Sequence, residues 1–217
     1  MSTPRAIIFD VDGVLVDDGF AGPHLRATQE LLREYGIDDH ELDPDFLGRS
    51  ARDIMGILRE RYDLPDDVAT LEQKKHDIFF RLLQDRSPVL LGARETVLAA
   101  KEIVGRIAMA TSGTDRYVAK IKGMLQLEGA FDVTVTSDHV THAKPAPDIY
   151  QETLRQLKLT PGDCLVVEDS VNGFYAARAA GISTVIILPP TRTAAEYEGA
   201  RAIVGNIREV VPYFRGT

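Results

Sequence analysis

With 217 residues the chain has room for one large domain, or for a core domain carrying a smaller insert. Hydrophobic residues at 44% and charged residues at 27% exclude an intrinsically disordered chain and point to an ordinary globular protein. Acidic side chains outnumber basic ones 33 to 25, a formal charge of -8; this argues against a nucleic-acid partner but leaves room for a small phosphorylated metabolite held by a local cluster of cations.

In chain order, the first expected element is a strand, Arg5-Ala6-Ile7-Ile8-Phe9, entered from Met1-Ser2-Thr3-Pro4 with no apolar signal-peptide core before it. It ends in Asp10-Val11-Asp12-Gly13-Val14, two carboxylates one residue apart and a glycine that permits a tight turn. From about Pro23 to Leu91 the pattern is almost wholly helical, with amphipathic segments at His24–Tyr35, Ala51–Tyr62 and Leu71–Gln84. Turn-rich stretches at Asp18–Pro23 and Ser87–Gly92 bracket it. The organisation predicted is a helical domain over 19-90 inserted into a core formed by 1-18 and 91-217.

Beyond the insert, helix-compatible stretches at Ala93–Val104, Arg116–Leu127, Pro147–Leu157 and Asn172–Ala180 alternate with strand-like runs. The runs are Ile107–Ala110, Asp132–Val135, Leu165–Val167, Thr184–Ile187 and a short Ala202–Val204. Strands apolar on both faces suit a parallel sheet covered by helices. The fold class expected is therefore α/β, a Rossmann-like doubly wound parallel sheet with an inserted all-helical cap domain. No apolar run approaches the length of a membrane span. The single cysteine, Cys164, reads as a small buried hydrophobe without a disulfide partner in the chain. A cytoplasmic monomer with no membrane partner is the expectation.

In an open α/β sheet, ligands bind beyond the carboxyl ends of the strands, and the reactive residues fall there. Asp10 and Asp12 follow the first strand, Thr111-Ser112-Gly113 the second, and Glu168-Asp169-Ser170 the run Leu165–Val167. Lys144 stands before Pro145-Ala146-Pro147-Asp148, where the prolines favour a helix start. Each has an ordinary structural use, as a helix cap, a solvated cation or a helix-dipole partner. Those uses leave their arrival at one sheet edge unexplained. Four carboxylates against one lysine call for a hard divalent cation, and Mg²⁺ is the usual one where phosphate completes the shell. Zinc does not fit, since neither cysteine nor histidine converges there. His139-Val140-Thr141-His142 has a metal-like spacing but belongs to the loop leading to Lys144. Walker, Gly-x-Ser-x-Gly and His-Glu-x-x-His signatures are absent from the sequence.

Asp10-Val11-Asp12-Gly13-Val14, Thr111, Lys144-Pro145 and Glu168-Asp169 resemble, in this order, the four signature motifs of the haloacid dehalogenase superfamily. The helical insert between the first and second motifs resembles the cap of the subfamily containing β-phosphoglucomutase and phosphoglycolate phosphatase. The resemblance implies a Mg²⁺-dependent phosphatase acting on a small phosphomonoester. In it Asp10 is the nucleophile and Asp12 the acid and base. Asp10, the Asp12 carbonyl and Asp169 hold the metal with support from Glu168, while Thr111, Ser112, Gly113 and Lys144 bind phosphoryl oxygens. Leu47-Gly48-Arg49-Ser50 and Lys75 resemble cap positions that face the active site, and His24 resembles a hinge-side histidine. Arg49, Arg52 and Lys75 are cations suited to an acidic or doubly phosphorylated substrate. The sugar mutase of the subfamily carries an arginine directly after its cap-loop serine, where this chain has Ala51. That favours hydrolysis over the alternative, an isomerase that returns phosphate from Asp10 to a sugar. A phospho-receiver signalling domain, the remote alternative, also uses Asp, Thr and Lys, but it is smaller and lacks such a cap.

Overall fold

The first strand of the chain becomes the middle of the sheet. A computed structural model, which describes residues 3–17, 23–38, 50–82 and 89–216, has six strands. They are β1 (Ala6–Phe9), β2 (Ile107–Ala110), β3 (Val133–Val135), β4 (Cys164–Glu168), β5 (Ser183–Ile187) and β6 (Ala202–Val204). All pair in parallel in the order β3-β2-β1-β4-β5-β6. Strand order thus reverses at β1, the place where open α/β sheets take ligands. Every residue of β1, β2 and β4 is buried, because helices cover both faces and leave no polar alternation in the sequence. The fold is the α/β doubly wound sheet with a helical insert that the strand-helix alternation predicts.

The chain divides into two compact units, one from Met1–Asp17 and Val89–Thr217, the other Asp18–Pro88. The smaller holds α1 (Pro23–Glu34), α2 (Ala51–Tyr62) and α3 (Val68–Leu82). Helix α3 packs on both of the others, burying Ala27, Leu31 and Leu32 of α1, Met55 and Leu58 of α2, and Leu71, Ile78 and Phe79 of its own. The three- and four-residue spacing of these positions is the helical apolar stripe. α3 starts at Val68, ahead of the Leu71 expected, because Asp67 Oδ1 accepts the Thr70 N–H at 2.7 Å and caps the first turn.

In the larger unit, α4 (Ala93–Val104), α5 (Asp115–Leu125), α6 (Asp148–Leu157) and α7 (Val171–Ala179) cover the sheet. Ala6 and Ile8 of β1 lie with Ala108, Ala110 and Val166 under Tyr150, Leu154 and Leu157 of α6 and Ala176 and Ala177 of α7. Cys164 joins this core, and burial pushes its thiol up to about 11, so it stays an inert thiol. On the opposite face Phe9 meets Phe214 edge-on at 6.2 Å. Phe214 belongs to a 3₁₀ segment, Ile207–Arg215, that packs on α4 and that strand-helix alternation does not predict. Its Ile207, Val210 and Phe214 are buried together, three and four residues apart. Helix α5 ends at Leu125, two residues short of expectation, because Gln126 turns left-handed with φ 53°. Among the described residues no helix is long and apolar enough to cross a membrane.

Candidate active site

The register of the sheet brings two of the predicted residues, Asp10 and Glu168, to one level. Phe9 pairs with Met109 on one side and Val167 on the other, so Asp10, Ala110 and Glu168 come next along three adjacent strands. Asp10 continues the ladder by one bond, its N–H donating to Val167 O at 3.0 Å, and its side chain is buried. The chain then turns tightly: Gly13 N–H bonds Val16 O at 2.7 Å with Gly13 at φ +75°, a backbone state L side chains avoid. A Cβ on Gly13 would stand 1.9 Å from Asp169 Oδ2, so the missing side chain is also what lets Asp169 approach the first loop.

Lys144, arriving from the loop before α6, lies in the centre of these acids. Its Nζ donates to Asp10 Oδ1 at 2.8 Å, to Glu168 Oε1 at 2.6 Å and to Ala110 O at 3.4 Å. Tyr150, in the first turn of α6, donates from its hydroxyl to the same Glu168 Oε1 at 2.8 Å, and Lys144 Nζ lies 5.2 Å from its ring centroid. Glu168 Oε2 accepts from Asp169 N, Ser170 N and Ser170 Oγ, each at 3.0 Å. Ser170 in turn caps α7 through Gly173 N at 3.0 Å, so both oxygens of this fully buried carboxylate are engaged.

These contacts set the charge states. Burial, then the neighbouring Glu168, push the Asp10 carboxyl up to about 8; Lys144 opposes the rise and Asp12 adds to it. Burial also works against charge on Glu168, but Lys144, the Ser170 amide and Tyr150 outweigh it and hold that carboxyl below its ordinary value. For Lys144, burial is outweighed by Asp10 and Glu168, which keep the ammonium well above its usual range. One lysine therefore does not balance the site. Oxygens of Asp10, Glu168 and Asp169 lie within 4.8 Å of one another, an all-oxygen donor set of the kind a hard divalent cation takes. The Asp12 side chain falls outside that set, and its Oδ1 accepts from the Tyr117 hydroxyl.

Thr111 continues β2 toward the same edge, its N–H donating to Val135 O at 3.1 Å, and is buried. Its Oγ1 accepts Gly113 N–H at 3.0 Å. Gly113 O accepts from Ser137 N at 3.0 Å, which pins the Thr111-Ser112-Gly113 loop ahead of α5. His139 and His142 take no part: Thr136 N donates to His139 Nδ1 at 3.1 Å, and His142 Nδ1 meets Asp148 Oδ1 at 2.8 Å, both local caps on the way to Lys144.

The helical unit uses its predicted residues in several ways. Ser50 caps α2, accepting Asp53 N–H at 3.1 Å and donating to Asp53 Oδ2 at 2.7 Å. Arg52 pairs with Glu72 at 3.3 Å. Lys75 is buried, with Nζ 2.5 Å from His24 Nδ1 and 5.8 Å from the Phe79 ring, on which the His24 ring stacks at 4.0 Å. Leu47, Gly48 and Arg49 lie outside the described residues. Two tyrosines, Tyr117 and Tyr150, contact the candidate carboxylates Asp12 and Glu168 without any motif around them to mark them beforehand.

The family model for haloacid dehalogenase-like hydrolases matches residues 4–181. A phosphorylated carbohydrates phosphatase from Thermotoga maritima is 32% identical over 187 residues, 83% of each chain. Hexitol phosphatase B from Escherichia coli is 29% identical over 201 residues, 88% of this chain and 87% of its own. Among solved structures, a mutant of CbbY from Rhodobacter sphaeroides in complex with xylulose-(1,5)bisphosphate has a TM-score of 0.83 at 26% identity, covering 95% of this chain and 96% of that one.

Proposed function

The chain belongs to the haloacid dehalogenase-like hydrolase family, and we propose that it hydrolyses a small phosphomonoester, of the sugar-phosphate or phosphoglycolate kind, through an aspartyl-phosphate on Asp10. It is a phosphoric monoester hydrolase. One observation carries the mechanism: a buried aspartate at the switch point of the sheet, bonded to a buried lysine and close to two more carboxylates. The sugar class draws support from relatives named for phosphorylated carbohydrates and hexitols, and from the sugar bisphosphate held by CbbY.

In this mechanism an Asp10 carboxylate oxygen attacks phosphorus as the bond to the leaving oxygen breaks. Asp12 gives its proton to that oxygen, and an alcohol departs. The Asp12 carboxylate then takes a proton from water, whose oxygen attacks the phosphorus. The bond to Asp10 breaks, inorganic phosphate leaves, and both aspartates return to their starting states. Lys144, the Thr111 hydroxyl and the amides of the Ser112-Gly113 loop bind phosphoryl oxygens and stabilise charge in the transition state.

The donor set fits Mg²⁺. Asp10 and Asp169, with the Asp12 backbone carbonyl, would hold it, and Glu168, whose oxygens are already engaged, would support it through water. Bound there, the ion supplies positive charge that offsets the phosphoryl oxygens and favours ionised Asp10. We assign substrate choice in the helical unit to Lys75 and His24 first and to Arg49 and Arg52 next, since Ser50 is committed to capping α2.

Phosphate release from a panel of small phosphomonoesters, with and without Mg²⁺, tests the reading. Asp10→Asn is expected to lower turnover at least about 10⁴-fold while the thermal midpoint stays close to that of the wild type. Substantial turnover in that variant refutes the nucleophile assignment.

A further inference from the structure

We infer that Tyr117 is a positioning residue that aims Asp12 for proton transfer, an inference that rests on the phosphatase reading above. Asp12 sits in a turn whose backbone is fixed by the Gly13–Val16 bond and by further bonds to Val11 O. A carboxylate on such a turn still has its own side-chain torsions. The Tyr117 hydroxyl removes that freedom by donating to Asp12 Oδ1. Fixing one carboxylate oxygen fixes the direction of the other, and a general acid must come within hydrogen-bond reach of the leaving oxygen.

The phenol can hold this position because its own is closely determined. Tyr117 lies in the first turn of α5, where its N–H donates to the capping Thr114 Oγ1 at 3.3 Å. The side chain is 1% exposed, and a buried phenol needs a polar partner for its tip. Its ring presses on the Gly113 backbone: a Cβ there would stand 2.6 Å from Cδ1 and 3.2 Å from Cε1. The loop proposed to bind phosphoryl oxygens and the group that orients the acid are thus one packed piece. Phosphate placement and acid placement are set together, which a surface-anchored acid would not achieve.

Leaving-group dependence separates this role from a merely structural one. An alkyl phosphate releases a poor leaving oxygen that needs a proton, whereas nitrophenolate departs without one. Because departure of the leaving group is the first irreversible step, kcat/KM reports phosphorylation of Asp10. Tyr117→Phe keeps the ring and loses the hydroxyl. We expect kcat/KM for an alkyl phosphate such as a hexitol phosphate to fall roughly tenfold, part of the roughly 10²–10⁴ that general acid catalysis supplies. For p-nitrophenyl phosphate the same variant should lose less than about threefold. In an Asp12→Asn background, Tyr117→Phe should cost nothing further on the alkyl substrate, the non-additivity of two residues acting through one proton. Equal losses on both substrates, no loss on either, or additive losses in the double variant overturn the inference. The phosphatase reading falls separately, if Asp10→Asn keeps substantial turnover.

Discussion

Lys144, Glu168 and Tyr150 in the core unit and Lys74, Asp66 and Tyr35 in the helical unit share one pair of contacts. In each, an ammonium and a phenol donate to a single carboxylate oxygen: 2.6 and 2.8 Å at Glu168 Oε1, 2.6 and 2.6 Å at Asp66 Oδ2. Their surroundings are opposite. The side chains of Lys144 and Glu168 are 3% and 0% exposed, those of Lys74 and Asp66 44% and 30%. Water screens the second set, so it is a surface clasp between helices. In the first, both desolvation and mutual attraction are large, and such a set is poor evidence for stability as such. Its place at the switch point, with Asp10 as a further partner of the lysine, is what supports the proposal that it is held for chemistry. The shared pair of contacts would not have told the two apart; burial does.

The largest effect expected from that contrast is at Lys144. Lys144→Met leaves the buried Glu168 carboxylate without its cation, and breaking a buried pair in this way costs about 3–5 kcal/mol. Urea unfolding of the full chain measures it. Replacing Glu168 by glutamine in the same variant should recover part of the loss, because the uncompensated charge is then gone. A loss under about 1 kcal/mol would put the core set on a level with a surface one and break the comparison.

How far the sequence reveals each region follows from the same geometry. A residue directly after an apolar strand run has its position set by the sheet, so Asp10, Thr111 and Glu168 could be placed at one edge from spacing alone. Lys144 could be placed because prolines mark the helix start behind it. Tyr150 and Tyr117 could not, since an aromatic on a helix face reads as packing until its hydroxyl partner is seen. The 3₁₀ segment Ile207–Arg215 is missed although Ile207, Val210, Val211 and Phe214 carry a three- and four-residue spacing, because Pro212 falls inside it. In the helical unit direction is the missing information. A cation on a helix points at any angle, so Arg52 and Lys75 were recognisable as charges, while their partners, Glu72 and His24, were not.

Ser50 shows a signal read one way and used another. Ser50-Ala51-Arg52-Asp53 has the spacing of an N-terminal cap, and the structure uses it so. Ser50→Ala should therefore cost on the order of 1 kcal/mol of stability and leave the ratio of kcat/KM between two sugar phosphates within about twofold of wild type. A larger change in that ratio, with stability intact, would return Ser50 to the substrate and make the helical unit more like the core.

The smallest effect lies in the exposed set and depends on pH. Hydrogen bonds from Lys74, then from Tyr35, hold the Asp66 carboxyl below its ordinary value. A carboxyl whose folded value is depressed stabilises the fold at pH above the unfolded value, about 3.9, and loses that contribution as pH falls through the folded one. The difference in thermal midpoint between wild type and Asp66→Asn should be steady above about pH 5 and shrink progressively below about pH 4. Because both partners reach water, added salt should reduce the difference at neutral pH as well. A difference that held constant down to the acid transition would mean that the carboxylate charge contributes nothing there. Neutral hydrogen bonds would then suffice, and the resemblance between the two sets would end at their distances.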